Sequence, residues 1–220
     1  MIIHRGTDSI GDWWFPSRSA VPRPSTERDE FTWATAQLPA VVQALGDRDL
    51  LVPERLVIDF PLTRSAKVPA KIESDVASAQ AIQTVLDDIA REWPDVIPNG
   101  VDIRGSGSIL TRNVVRRLPD VVGVRALMLI GASVWVSTWC DAWLAYDLRG
   151  RAQPEIVALN APRLKAALEQ IEKAIGFTAL TGDSKFSRAD GHDLRNPLDI
   201  DGDPLDLDLL GYDESWIAAE

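Results

Sequence analysis

A chain of 220 residues that is 45% hydrophobic and 25% charged, with 14 glycines and 14 prolines, has the composition of a globular protein rather than a disordered, collagenous or fibrous one. Its 23 Lys+Arg against 33 Asp+Glu leave a net charge of −10, which argues against nucleic acid or an anionic membrane surface as a partner and favours a basic one. A single cysteine cannot close an intramolecular disulfide or build a Cys-rich zinc site, which excludes a stapled secreted scaffold.

In chain order, Asp8 and Asp12 interrupt the stretch where a signal peptide needs an unbroken apolar core, and no run of about 18 apolar residues follows anywhere. A cytoplasmic protein without a membrane span is expected. Residues 1–30 read as an N-terminal arm, because Pro16, Pro22 and Pro24 discourage regular structure while Trp13, Trp14 and Phe15 pin it to the body. Trp13, Trp14 and Trp216, near the termini, are the tryptophans expected to be exposed. Pro39 reads as a first-turn proline of a short helix stopped by Gly46, and Leu56–Phe60 as a strand. Pro61 and Pro69 bracket an edge or extended connection.

Ser74 is placed as the N-cap of a helix running to about Trp93, with Ile82, Val85, Leu86 and Ile89 on its apolar stripe. The runs Arg125–Ile130 and Ser133–Thr138, separated by Gly131-Ala132, predict a hairpin with a two-residue turn. Trp135, Trp139 and Trp143 recur every four residues, a spacing that fits one face of either a helix or a strand. Strand is favoured through Thr138, then a turn at Cys140-Asp141 and another strand to Tyr146. A second helix starts near Asn160, carries Leu164, Leu168, Ile171 and Ile175, and ends at Gly176. Helices and strands without regular alternation predict an α+β fold: a mainly antiparallel sheet with a central hairpin, packed against two or three amphipathic helices. Residues 31–182 form the main domain in this reading, and 183–220 an acidic segment docked on it.

That segment holds eleven acids and three bases, so −8 of the −10 net charge lies from Asp183 onward. Its interleaved leucines are expected to dock it on the body. Asp199, Asp201 and Asp203 resemble the first half of a calcium loop, but Pro204 and Leu210 stand where such a loop needs a glycine and a closing acid. A patch for a cationic partner is the preferred use, built from Asp199, Asp201, Asp203, Asp206 and Asp208 with Tyr212 and Trp216 as anchors. Arg104-Gly105-Ser106-Gly107-Ser108 follows a strand and precedes an expected helix carrying Arg112 and Arg116, which makes these arginines candidates for anion binding. No Walker lysine-serine pair and no full GxGxxG follow, so a turn before a basic surface competes with that reading.

Cys140 has only His4 and His192 as prospective bases, both distant in sequence, and reads as a buried small hydrophobe. No residue is assigned a catalytic or metal-binding role and no cofactor is implied. The expected function is that of a stoichiometric inhibitory protein, immunity- or antitoxin-like, that neutralises a basic protein such as a toxin. The alternatives are a metal-assisted hydrolase using the C-terminal aspartates, which needs converging carboxylates, and a scaffold subunit, which needs a large exposed apolar patch.

Overall fold

The computed structural model describes residues 3–4, 8–17, 26–61, 68–128, 131–205 and 217–218, and it is an α+β protein with a mainly antiparallel sheet. The main sheet runs β4 (Lys71–Asp75), β3 (Val52–Asp59), β5 (Gly100–Leu110), β7 (Val122–Met128), β8 (Ala132–Thr138), β2 (Gly11–Pro16), β9 (Leu180–Gly182), with β6 (Val115–Pro119) paired to the far half of β5. All these pairings are antiparallel. Two small ladders complete it: β1 (Ile3–His4) with β12 (Ile217–Ala218), and β10 (Arg188–Asp190) with β11 (Asp193–Arg195).

The expected hairpin is present, with Met128 paired to Ala132 and Val122 to Thr138. Ala132 belongs to the second strand rather than to the turn. Gly131 holds φ +84°, the left-handed backbone that a residue with a Cβ resists. Leu129 and Ile130 lie outside the described residues, as do residues 62–67 between Pro61 and Pro69.

Three helix starts differ from the sequence reading. α1 spans Glu27–Gly46 instead of beginning at Pro39, because Thr26 and Asp29 close a reciprocal capping box. Pro39 sits inside it and forfeits one backbone bond, while buried Ala34, Leu38, Val41, Val42 and Leu45 hold the helix to the core on both sides of it. α2 spans Ala79–Glu92 with Ser78, not Ser74, as its cap; Ser74 lies in β4 opposite Leu56. α3 spans Pro154–Ile175, starting from a first-turn proline six residues before Asn160, and ends at left-handed Gly176 as expected.

Residues 11–16, assigned above to an arm, form β2 between β8 and β9 within the main sheet. Trp13 and Phe15 are therefore fully buried, and the Trp13 indole N–H donates to the Gly191 carbonyl at 2.9 Å. No strand forms over residues 141–146. Buried Asp141 and Asp147 instead organise turns there, accepting from the amides of Leu148, and of Arg149 and Arg151. Burial alone would raise the Asp147 carboxyl, but hydrogen bonds from Arg151 and from these amides hold it below the usual carboxylate range.

Alternation along the strands divides the sheet into two faces. Trp13, Phe15, Ile58, Val101, Ile103, Val124, Val134 and Val136 are buried in one core with residues of α1, α2 and α3. The intervening residues of β2 and β8, Asp12, Trp14, Ser133, Trp135 and Ser137, are only half-buried. Asn160 on α3 locks the far half of β5 in place, its amide accepting from the Leu110 N–H at 2.9 Å and donating to the Leu110 carbonyl at 2.8 Å.

Candidate functional site

The half-open face is a continuous surface because the strand registers align. One row crosses seven strands as Leu180, Trp14, Trp135, Arg125, Asp102, Val57 and Glu73. Trp14 and Trp135, directly opposite each other, stack with ring centroids 5.1 Å apart and planes 16° apart. Next to them Asp102 accepts from Arg104 Nε at 2.8 Å and from Arg125 Nε at 3.2 Å, with its own side chain only 15% exposed. The Arg104 guanidinium also lies 3.8 Å from the centre of the Trp139 ring. Two arginines on one half-buried carboxylate, one of them also on an indole, make a rigid polar patch whose side-chain freedom is already spent.

The neighbouring row is built of small residues, with Gly182 and Ser137 flanking Asp12 and Gly123 beyond Ser137. A Cβ on Gly123 would stand 3.1 Å from the Trp139 ring and 3.3 Å from Arg104 Cδ, so glycine there makes room for the cation–π stack. Asp12, Ser137 and Gly123 of this row line a trough of about 500 Å³ together with Trp135 and Trp139, with Asp12 toward one end and Arg104 toward the other. A second hollow of about 370 Å³ continues across β3 and β4, shares Asp102, Arg104 and Arg125, and adds Arg55, Asp59, Lys71 and Asp120.

The three tryptophans spaced by four thus take different roles. Trp143 is core, its indole donating to Thr138 Oγ1 at 2.7 Å; Trp139 is nearly buried beneath Arg104; Trp135, half-buried, is the most accessible of the three.

The arginines singled out for anion binding are not gathered into one place. Arg104 belongs to the Asp102 cluster, Arg112 pairs with Glu155 of α3, and Arg116 stands opposite Ile109, five residues and about 17 Å along β5 from Arg104. The helix expected after the glycines is replaced by the β5–β6 hairpin. Gly105 and Gly107 serve close strand approach instead: a Cβ would fall 1.9 Å from the Val52 carbonyl oxygen at the first and 2.2 Å from that of Leu50 at the second. Amides that a phosphate would need are spent on backbone partners, as where the Ser108 N–H donates to Asp49.

Within the acidic segment, Asp199, Asp201 and Asp203 are exposed at a turn in which the Asp199 carboxylate accepts from the amides of Asp201 and Asp203, both at 2.9 Å. Asp206, Asp208, Tyr212 and Trp216 lie outside the described residues. Residues 183–205 are fastened to the body. Ser184 and Ser187 both donate to the Ile10 carbonyl, Asn196 bonds the Tyr146 backbone in both directions, and Leu194 packs over Gly11. No group of three or more His, Cys, Asp or Glu among the described residues is arranged to hold a metal. His192 pairs with Glu172 at 2.9 Å rather than with Cys140.

Cys140 is fully buried, and burial pushes its thiol far above the ordinary range. A thiol-reactive dye is accordingly expected to leave the native protein unlabelled over hours and to label one thiol completely in denaturant. Prompt labelling without denaturant would contradict the burial. No helix among the described residues is long and apolar enough to cross a membrane. Compared with known protein families, curated proteins and solved structures, the chain shows no significant match to any.

Proposed function

We propose that this protein is a stoichiometric inhibitory binding protein, immunity- or antitoxin-like and cytoplasmic, that captures a basic protein partner. The observation that carries this reading is the half-open sheet face, where aromatic and arginine side chains of the kind that dominate binding energy are held rigid on seven hydrogen-bonded strands. A preorganised surface loses little side-chain entropy on association. The net charge of −10, most of it from Asp183 onward, would steer a cationic partner toward it, and exposed Asp199, Asp201 and Asp203 are part of that field. In this reading the acids govern association, while Trp14 and Trp135, with Tyr212 and Trp216 of the C-terminal segment, govern dissociation.

Surface plasmon resonance against a partner captured from the native host separates these roles. Changing Asp201, Asp203, Asp206 and Asp208 together to Asn is expected to slow association about tenfold at low salt and to flatten its salt dependence. Trp135→Ala is expected to speed dissociation by roughly thirtyfold, as for a central aromatic anchor. Unchanged association of the quadruple variant at low salt would reduce the acidic segment to a solvated face. Turnover of the partner or of a small substrate, abolished by one aspartate change with binding intact, would favour an enzyme instead.

A further inference from the structure

The two ends of the trough on the half-open face are complete to different degrees. At one end an indole, a guanidinium and a carboxylate are assembled from the chain itself: Arg104 lies 3.8 Å over Trp139 and donates to Asp102 at 2.8 Å. At the other end stands a second carboxylate, Asp12, that no guanidinium among the described residues engages; the nearby indole, Trp135, has Trp14 and Arg125 as its cross-strand neighbours. Asp12 stands opposite Ser137, two residues along β8 from Trp135, so Asp12 and Trp135 are diagonal neighbours on one face, about 7 Å apart. Both line the trough, as do Ser137 and Gly123 of the row between them and Arg104.

Asp12 accepts from the Ser9 hydroxyl on Oδ2, and among the described residues no cation pairs with it. Its acidic neighbours in the trough differ in this respect, since Asp8 is paired with Lys185 and Asp183 with Arg188. A half-buried carboxylate with a free oxygen in a cavity favours a cation there. A planar, weakly hydrated guanidinium fits a site walled by an indole better than an ammonium does.

We propose that the Asp12 end of the trough is a socket for an arginine side chain of the partner, with Asp12 accepting from the guanidinium and Trp135 packing against it. The inference rests on the reading of the protein as the binder of a basic partner, and it names the group by which that partner is held.

The socket can be tested without the partner by titrating the full-length protein with agmatine, which carries the arginine guanidinium together with an ammonium group, and following by NMR the Trp135 indole N–H, which donates to Ser133 Oγ at 2.7 Å. A saturable shift at roughly millimolar agmatine is expected, about tenfold weaker in Asp12→Asn and unaltered in Asp88→Asn on the exposed side of α2. N-carbamoylputrescine, which replaces the guanidinium with a neutral urea, should give no saturable shift. Should Asp12→Asn fail to fold, Trp135→Leu is expected to show the same loss, read from the amides of Ser137 and Gly123. Absence of a saturable shift with agmatine, or affinity unaltered in Asp12→Asn, would overturn the socket. Agmatine binding by a protein that captures no partner would refute the binder reading and leave the socket standing. A captured partner whose affinity is unmoved by Asp12→Asn would refute the socket alone.

Discussion

Alanine in place of Gly105 is expected to destabilise the protein by about 3 kcal/mol or more, although it adds a single methyl group to a strand. The added carbon would stand 1.9 Å from the Val52 carbonyl oxygen, 2.9 Å from its carbon and 3.0 Å from Pro53 Cα. All three are backbone atoms of the neighbouring strand, so no rotamer change relieves the clash, and β3 must move away from β5 at the irregular register between Pro53 and Arg55. Gly107→Ala should be similarly costly, since its Cβ meets the Leu50 carbonyl oxygen at 2.2 Å. Gly182→Ala supplies the control: its nearest neighbours are Trp14 ring atoms at 3.4 and 3.5 Å, and a change within about 0.5 kcal/mol is expected. Urea unfolding of the three variants checks this. Equal, small losses would show that the chain at Leu50 and Val52 does not approach β5 this closely.

Trp13→Ala is expected to cost about 3–5 kcal/mol, the range for emptying a buried aromatic site. Trp13 is fully buried, is packed within the main core, and loses its indole bond to Gly191 when truncated. Trp14, the next residue, points to the opposite face and stacks on Trp135, so Trp14→Ala should cost roughly 1 kcal/mol. A surface arm would make both changes cheap. Thermal unfolding of the pair therefore reports directly on whether β2 is an internal strand, and comparable melting temperatures for the two variants would contradict its insertion.

These two sites also show which parts of the fold local sequence can carry. The 122–138 hairpin is readable because two β-rich runs flank Gly131, and the far end of α3 because Gly176 follows an apolar stripe of helical period. The start of α1 was written in the sequence as well, in Thr26 and Asp29 at capping-box spacing, but the prolines upstream and Pro39 within the helix point the other way. The Gly105-Ser106-Gly107 run has two physical uses, freeing amides for an anion or letting strands touch. Only the position of Leu50 and Val52 chooses between them.

The candidate site was less accessible for a different reason. Asp102 and Arg104 are two apart and would share a face of any strand, but Arg125 joins them only through the register of β5 with β7. Trp14 meets Trp135 only because β2 inserts beside β8, a pairing with no local signature. If residues 1–30 are an arm, Asp8, Ser9 and Asp12 have no place on the sheet face, although all three line the trough. Net charge points instead to the C-terminal aspartates, three of which, Asp199, Asp201 and Asp203, belong to a self-contained turn.

In the proposed function the partner sits on the half-open sheet face. Hydroxyl-radical footprinting of the complex, with the partner captured from the native host, addresses it most directly, because Trp14, Trp135 and the half-exposed Leu180 report on that face and Leu159 of α3 on another element. In the complex, Trp14, Trp135 and Leu180 are expected to be protected from oxidation while Leu159 reacts as in the free protein. Protection of Leu159 with Trp14 and Trp135 as reactive as before would place the partner elsewhere and contradict the proposed docking face.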